Sequence, residues 1–429
     1  MINDTINPMG LDLTKNLHGH VRVELRDRWT GRVVDSQEKD NLVTNAVQEA
    51  MQSMPLATGI NSVYAWLPIF SAALGGLFLF DGTLTESVTN TSFPSSVKMV
   101  AYAGQGANST AANQGSYNAN ESSYTSNGFI STWDFLTSQA NGTIASLART
   151  SSMFVNAPCF AYVGTDSFAV VSIRSTNQLG SYCNVIGYDE TNHYVYIAVT
   201  AQRTEDGLTF YPSNIYRAKF NFAKVGVNYP PLFAPQLTSI KTLTSSDGSA
   251  SAYNYAYDRY NNEFVYITGT TIHIVATDGT HTTKTATGTS GTAFAITENY
   301  YWRATGSVVY RISKSNTSSV ESISVTGGNH ITPFDNDCVY TYSDGFNSCS
   351  LVYPDGTVMP LPASTISTAP QYAKSDYKSI GRTFYDSRGV SSMNLRPSTH
   401  YLGTIANLDS PVTKTSSQTM KITYTLTEA

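Results

Sequence analysis

Charge is scarce in this chain of 429 residues, where Asp, Glu, Lys and Arg together make up only 13%, about half the usual share. The 31 acidic side chains outnumber the 26 basic ones, for a net charge of −5. No basic field is therefore available, and nucleic acid is not an expected partner. Cysteine is also sparse. The four present, Cys159, Cys183, Cys338 and Cys349, have none of the spacings of a metal site. The opening Met1-Ile2-Asn3-Asp4 has neither a basic nor an apolar leader region, so no cleavable signal peptide is expected. Gly-x-Ser-x-Gly, His-Glu-x-x-His and phosphate-binding glycine loops are all missing. No catalytic residue, no cofactor and no enzymatic activity are assigned. The one long uncharged run, 18 residues from Val63 to Phe80, is broken by Pro68, Ser71 and Gly75-Gly76. It reaches only the lower limit of a spanning helix and has no close Lys or Arg flank, so a buried helix-and-strand segment is expected rather than membrane insertion.

Polarity comes instead from hydroxyls and amides, and aromatics reach 12%, with 28 tyrosines. That balance suits a β-rich protein of the secreted or virion type. A hairpin pattern recurs through the second half. Phe264-Val265-Tyr266-Ile267 turns at Gly269 into Ile272-His273-Ile274-Val275, and Tyr300-Tyr301-Trp302 turns at Gly306 into Val308 to Ile312. Cys338 to Tyr342 turns at Asp344-Gly345 into Cys349 to Val352. The three glycines stand 37 and 39 residues apart, the length of a four-stranded propeller blade. Looser copies precede them, at Phe160 to Val171 and at Tyr194-Val195-Tyr196-Ile197 with Ile215 to Ala218 across an insertion at Thr204 to Gly207. Arg382-Thr383-Phe384-Tyr385 with Val390 would make another. The expected fold is mainly β, with an inserted propeller-like domain of about five to seven blades. A β-sandwich or a string of meanders would carry the same turn chemistry.

The flanks read differently. Val21, Val23 and Leu25 alternate with Arg22, Glu24 and Arg26, the pattern of a half-buried strand. Trp29-Thr30-Gly31 turns it into a second strand, Arg32-Val33-Val34. Asn45, with Gln48 three residues on, is placed to cap a short helix that Pro55 ends. Gly104 to Asn127 is small and polar throughout and reads as a long surface loop or arm. Met420, Ile422, Tyr424 and Leu426 alternate again at the other end, and the N-terminal hairpin is the available partner. The chain is accordingly expected to fold as an anchoring β-rich domain over residues 1–150, completed by 398–429, with the propeller-like domain of 151–397 inserted into it.

Three stretches of these flanks resemble virion proteins of tailed bacteriophages and prophages of Gram-positive bacteria. They are Gly19 to Val47, with Glu38-Lys39-Asp40-Asn41-Leu42-Val43-Thr44-Asn45-Ala46; Gly115 to Ile144, with Trp133-Asp134-Phe135 and Ser138-Gln139-Ala140-Asn141-Gly142; and Leu408 to Thr415 with the strand that follows. Together they cover under half of the chain, and none of their motifs does chemistry. The resemblance implies a virion location and a tail-tip, baseplate or fibre role. The implied partners are other virion proteins, further copies of the chain and host cell-surface polysaccharide. A purely structural head-fibre, decoration or collar role and a glycan-degrading tail enzyme are the alternatives.

Four features bear on chemistry. Asp189-Glu190 and Glu205-Asp206 are adjacent acids in turns and are expected to be solvated. His18-Gly19-His20 places two imidazoles on one strand face, where a trimer axis would gather three pairs around an ion, but two surface histidines are the plainer expectation and no metal is assigned. Tyr300-Tyr301-Trp302 would suit the C–H face of a sugar, although aromatics in blade strands mostly pack between blades. Cys338 and Cys349, set diagonally by a hairpin centred on Asp344-Gly345, are expected to be buried thiols, with a bridge the alternative. No ligand-binding residue is named from sequence.

Overall fold

The computed structural model describes residues 17–47, 74–106, 109–150, 169–172, 183–189, 191–205, 207–219, 236–291, 293–344, 348–361, 383–386, 392–397 and 401–428. Within them lie thirty-one strands, numbered β1 to β31 along the chain. The chain divides into two compact units. Unit 1 is Met1–Val163, Ser364–Thr368 and Pro397–Ala429; unit 2 is Gly164–Ala363 and Ala369–Arg396.

The described residues of unit 1 form a single ten-stranded sheet with one short helical turn. At its centre β1 (Leu17–Asp27) is flanked by β2 (Val33–Val43) and by β31 (Gln418–Glu428). The β1–β31 ladder runs from Leu17↔Glu428 to Asp27↔Gln418 without a break. Its alternation puts Val21, Val23, Leu25, Met420, Ile422, Tyr424 and Leu426 into one core. Beyond β31 lies β7 (Gly128–Phe135), which pairs with the short β5 (Ser116–Tyr117) and β6 (Ser123–Thr125). Beyond β2 come β30 (Thr404–Lys414), β8 (Gly142–Thr150), β3 (Gly76–Phe80) and β4 (Met99–Ala103). The two ends of this order meet, because Tyr102 in β4 bridges Gln114 just before β5. This contact nearly closes the sheet into a barrel, so that its two end strands do not stand as open edges.

Two expectations are corrected in this unit. The polar Gly104–Asn127 stretch is no free arm. It supplies β5 and β6, and the Trp133 indole N–H donates to the Gly104 carbonyl at 2.9 Å. The helix that starts at Asn45 is capped by Thr44, whose hydroxyl accepts from the Ala46 N–H at 3.2 Å. Of the uncharged run, Val63 to Ala73 lies outside the described residues, and Gly76–Phe80 is a fully buried strand. Among the described residues no helix is long and apolar enough to cross a membrane.

Unit 2 is a propeller-type array of antiparallel meanders. The first sheet is β10 (Cys183–Asp189), β11 (Tyr194–Val199), β14 (Asn214–Lys219) and β15 (Thr238–Thr242). A side hairpin, β12 (Arg203–Glu205) with β13 (Leu208–Phe210), fills the insertion between β11 and β14. The second sheet is β16 (Ala256–Asp258), β17 (Glu263–Thr268), β18 (Thr271–Ala276) and β19 (His281–Thr285). The third is β20 (Ala293–Ile296), β21 (Tyr300–Thr305), β22 (Val308–Ser313) and β23 (Val320–Ser324). The fourth is β24 (His330–Pro333), β25 (Val339–Tyr342), β26 (Cys349–Val352) and β27 (Val358–Leu361). A fifth, three-stranded sheet joins β28 (Thr383–Asp386) and β29 (Ser392–Pro397) to β9 (Ala169–Ser172), so strands from both ends of the unit share a sheet.

The second strand of each four-stranded sheet is largely buried on both faces, which explains its near-continuous apolar sequence. In β17, Phe264 packs with Tyr196, Ile215 and Tyr257 toward the first sheet, while Val265 and Ile267 pack with Phe294, Ile296 and Tyr301 toward the third. In β21 the neighbours split likewise: Tyr301 faces the second sheet, and Trp302 faces Val339 and Val352 of the fourth. Gly269 and Gly306 sit in their hairpin turns at φ of +54° and +53°, a region costly for a side chain.

The fourth sheet corrects the cysteine register. Tyr340 pairs with Leu351 and Tyr342 with Cys349, a shift of two residues from a hairpin centred on Asp344-Gly345. Cys338 and Cys349 are both buried and are not bridged to each other, and burial pushes the Cys349 thiol up to about 11.

Candidate functional site

The first turn of the early blades is built on one device. Asp189, at the end of β10, accepts from the Asn192 N–H at 2.9 Å and from its side-chain amide at 2.8 Å. Asp258, at the end of β16, accepts from the Tyr260 N–H at 3.1 Å and the Asn261 amide at 3.2 Å. The sequence shows this as Asp-x-x-Asn before each central strand, in Asp189-Glu190-Thr191-Asn192 and Asp258-Arg259-Tyr260-Asn261. Asp189 is therefore a buried turn cap and not a solvated acid. Glu190 and Asp206 lie outside the described residues, and Glu205 sits in the side hairpin.

In the second sheet this cap gains a charge partner. Lys314, which follows β22, reaches Asp258 with Nζ 2.5 Å from Oδ2; Asp258 is wholly buried and Lys314 nearly so. Burial lowers the Lys314 pKa, against the opposing pull of Asp258. Opposite Asp258 across the β16–β17 hairpin stands Glu263. Its carboxylate accepts from the Tyr301 hydroxyl at 3.2 Å. Burial first, and then the Asp258 charge, raises the Glu263 pKa above the usual range.

Glu263 and Lys314 border a cleft of about 720 Å³ between the second and third sheets. Its lining includes Asn261, Glu263, Lys284, Glu298, Tyr300 and Ser315, almost all hydroxyl, amide or charged. Lys284 donates to the Lys314 carbonyl across the cleft at 3.5 Å. Asp258 is committed to three donors and shielded from solvent, so it cannot attack a substrate. The arrangement offers a polar binding surface with one carboxyl of raised pKa.

A second cluster lies at the outer side of the second sheet. The His281 Nδ1 is 3.5 Å from Asp247 Oδ1, and its Nε2 is 3.3 Å from His273 Nδ1. Lys241 Nζ is also 3.5 Å from Asp247 Oδ1. The imidazole planes differ by only 8°, with centroids 5.5 Å apart, so the facing nitrogens meet head-on at 3.3 Å instead of converging on an ion. Burial, and then the neighbouring His281, lowers the His273 pKa, with Asp247 opposing.

Other sequence candidates are dispersed. His18 is exposed on β1, and the His20 Nδ1 is 2.9 Å from Asp40 Oδ1. Among the described residues, no group of three or more His, Cys, Asp or Glu is placed to hold a metal ion. Tyr301 and Trp302 are core, the Trp302 indole donating to the Thr297 hydroxyl at 3.0 Å. Only Tyr300 reaches the cleft. Sequence reasoning missed Asp258, Glu263, Lys284 and Lys314. The repeated Asp-x-x-Asn signals the first, but nothing local signals a lysine 56 residues away.

No protein-family model matches the chain, and no curated protein matches it. Among solved structures, a streptogramin B lyase matches 79% of this chain and 95% of its own at 10% identity and a TM-score of 0.28. A catalytically inactive virginiamycin B lyase from Staphylococcus aureus with quinupristin matches 72% of this chain and 98% of its own, at 10% identity and 0.28. A chain of a nidogen/laminin complex matches 66% of this chain and 92% of its own, at 10% identity and 0.29. Likeness at this level carries no argument about activity. The propeller-type fold stands on the serial four-stranded sheets themselves.

Proposed function

We propose that the chain is a component of a tailed-bacteriophage particle, present in several copies, whose propeller-like unit attaches to saccharide on the host surface. The observation that carries the attachment reading is the cleft between the second and third sheets. Its amides, serines and lysine suit ligand hydroxyls, and the half-buried Tyr300 suits a ring face. Binding without cleavage is the favoured activity, because glycoside hydrolysis needs two available carboxyl groups: Asp258 is already occupied by Lys314, Tyr260 and Asn261, and of the two carboxyls that line the cleft, Glu263 and Glu298, Glu263 already accepts from the Tyr301 hydroxyl. The virion setting is supported by the resemblance of the flanking stretches. Presentation in many copies would let weak individual contacts suffice, since linked sites gain avidity.

The test uses whole particles. Ser315 is exposed at the cleft, so Ser315→Trp fills it without disturbing the core. Particles carrying Ser315→Trp with Lys284→Glu should assemble normally and adsorb to host cells at least about tenfold less well. Undiminished adsorption by assembled particles would overturn the attachment reading.

A further inference from the structure

The β1–β2 hairpin ends in a tip unlike the rest of the surface. Trp29 is 79% exposed, with Val34 at 54% and Val33 at 43% beside it. The turn presenting them is stiff. The Asp27 carboxylate accepts from the Trp29 N–H at 3.1 Å, the Thr30 N–H at 2.8 Å and the Thr30 hydroxyl at 2.8 Å. Gly31 completes the turn at φ +67°. An aromatic side chain held on a preordered turn loses little freedom on docking. On its outer side β2 pairs with β30 only at Leu42↔Ile405 and Val43↔Thr404. Among the described residues, Val33 to Ser36 therefore have no ladder partner on that side, and such an edge can accept another strand.

Charge is divided along the same hairpin. From Arg26 to Arg32 there are three arginines and one aspartate, a net of +2, so the rest of a chain of net −5 carries −5 − 2 = −7. Arg26 is held by Glu24 at 2.7 Å, whereas Arg28 and Arg32 have no ion pair among the described residues. Arg28 instead stacks on Trp29, 4.3 Å from the ring centre. The base of the hairpin is acidic. Asp40 is 95% exposed, Asp409 is 77% exposed and Glu38 is 55% exposed; their local partners are His20, Lys39 and Arg22. Eight residues of extended chain separate Arg32 from Asp40, roughly 27 Å at strand rise. Tip and base of one copy therefore cannot meet each other.

We propose that the basic, Trp29-bearing tip of this hairpin docks on the acidic base of the same hairpin in a second copy of the chain. An antiparallel arrangement makes two equal contacts at once, Arg28 and Arg32 of each copy against Asp40 and its neighbours in the other, as two-fold symmetry requires. Trp29 and Val34 supply the apolar part of the contact, and the open edge at Val33 to Ser36 supplies backbone hydrogen bonds. The proposal rests on the multi-copy part of the attachment reading and is independent of the cleft.

The experiment measures the oligomeric state of the full chain by sedimentation velocity and light scattering. The wild-type chain should self-associate in a salt-sensitive way. Arg28→Glu with Arg32→Glu should weaken association about tenfold or more, and Asp40→Lys should do the same. Trp29→Ala, which changes no charge, should also weaken it. The decisive arm mixes the tip-reversed and base-reversed chains, because each then presents what the other needs. Recovery of association in the mixture supports the proposal, and unchanged circular dichroism melts show that the variants fold. A monomeric wild-type chain, association that ignores these reversals, or failure of the mixture to recover would overturn it. Reversal that blocks incorporation of a monomeric chain into particles would assign the tip to a different virion protein, which also overturns it. Host adsorption through the cleft is a separate readout and stands or falls on its own.

Discussion

Asp258 and Lys314 form a buried ion pair in unit 2, Nζ to Oδ2 2.5 Å apart, although they stand 56 residues apart in the sequence. The pair joins the first turn of the second sheet to the end of β22 in the third. Removing one partner leaves the other as a buried, unpaired charge. Lys314→Met should therefore cost about 3–5 kcal/mol, read as a lowered urea midpoint of unfolding. Asp258→Asn keeps an acceptor for the Tyr260 N–H but strands Lys314, with a similar cost. The double variant should lose less than the sum of the two, because neither charge then remains. Additive losses would mean that the two side chains do not interact.

The paired imidazoles give unit 2 a pH dependence with a definite sign. His273 faces His281, the Tyr266 ring stacked on it and, through His281, Asp247 with Lys241. Its pKa in the fold lies below the ordinary 6.5. Between that lowered value and 6.5 the unfolded chain binds the proton and the folded one does not. Stability is thus fully present above 6.5 and declines as pH falls toward the folded value. His273→Phe should flatten the melting temperature over this window in a pH series. A decline in the variant as steep as in the wild type would place the titrating group elsewhere.

What was legible in the sequence followed side-chain periodicity. The alternation of Met420, Ile422, Tyr424 and Leu426 is the burial pattern of β31, and Gly269 and Gly306 mark real hairpin turns. What was illegible depends on backbone pairing or on distance along the chain. β2 continues to Val43, yet its mostly exposed residues carry no apolar alternation to announce it. Gly104 to Asn127 closes the sheet of unit 1 through backbone groups that any small polar residue can supply. The Asp344 turn contains more residues than a tight hairpin, which moved the cysteine register by two. The cleft was hidden because Asn261, Lys284 and Ser315 come from different blades and turns, each unremarkable in its own segment.

Gly187 marks a close approach between the first two sheets. A Cβ placed there would lie 2.1 Å from the Cβ of Tyr257, which is anchored in β16 and cannot swing away. Gly187→Ala should force the sheets apart and cost about 1–3 kcal/mol, whereas Gly207→Ala at the side hairpin meets no neighbour and strains only its own backbone, at φ +75°. Equal melting temperatures for Gly187→Ala and the wild type would show that this approach is not tight.

The terminal strand provides the most severe test of unit 1. β31 lies between β1 and β7, paired with both over most of its length. Deleting residues 418–429 would open two long edges in the middle of the sheet and uncover Val21, Val23, Leu25 and Trp133. Newly exposed strands of this length pair with one another between molecules. The truncated chain should accumulate in the insoluble fraction, and any soluble remainder should bind a dye specific for exposed apolar surface. Adding back a peptide of residues 418–429 during refolding should recover soluble protein, because it restores both ladders. A truncated chain that stays soluble and melts like the full one would show that β31 is dispensable to the sheet.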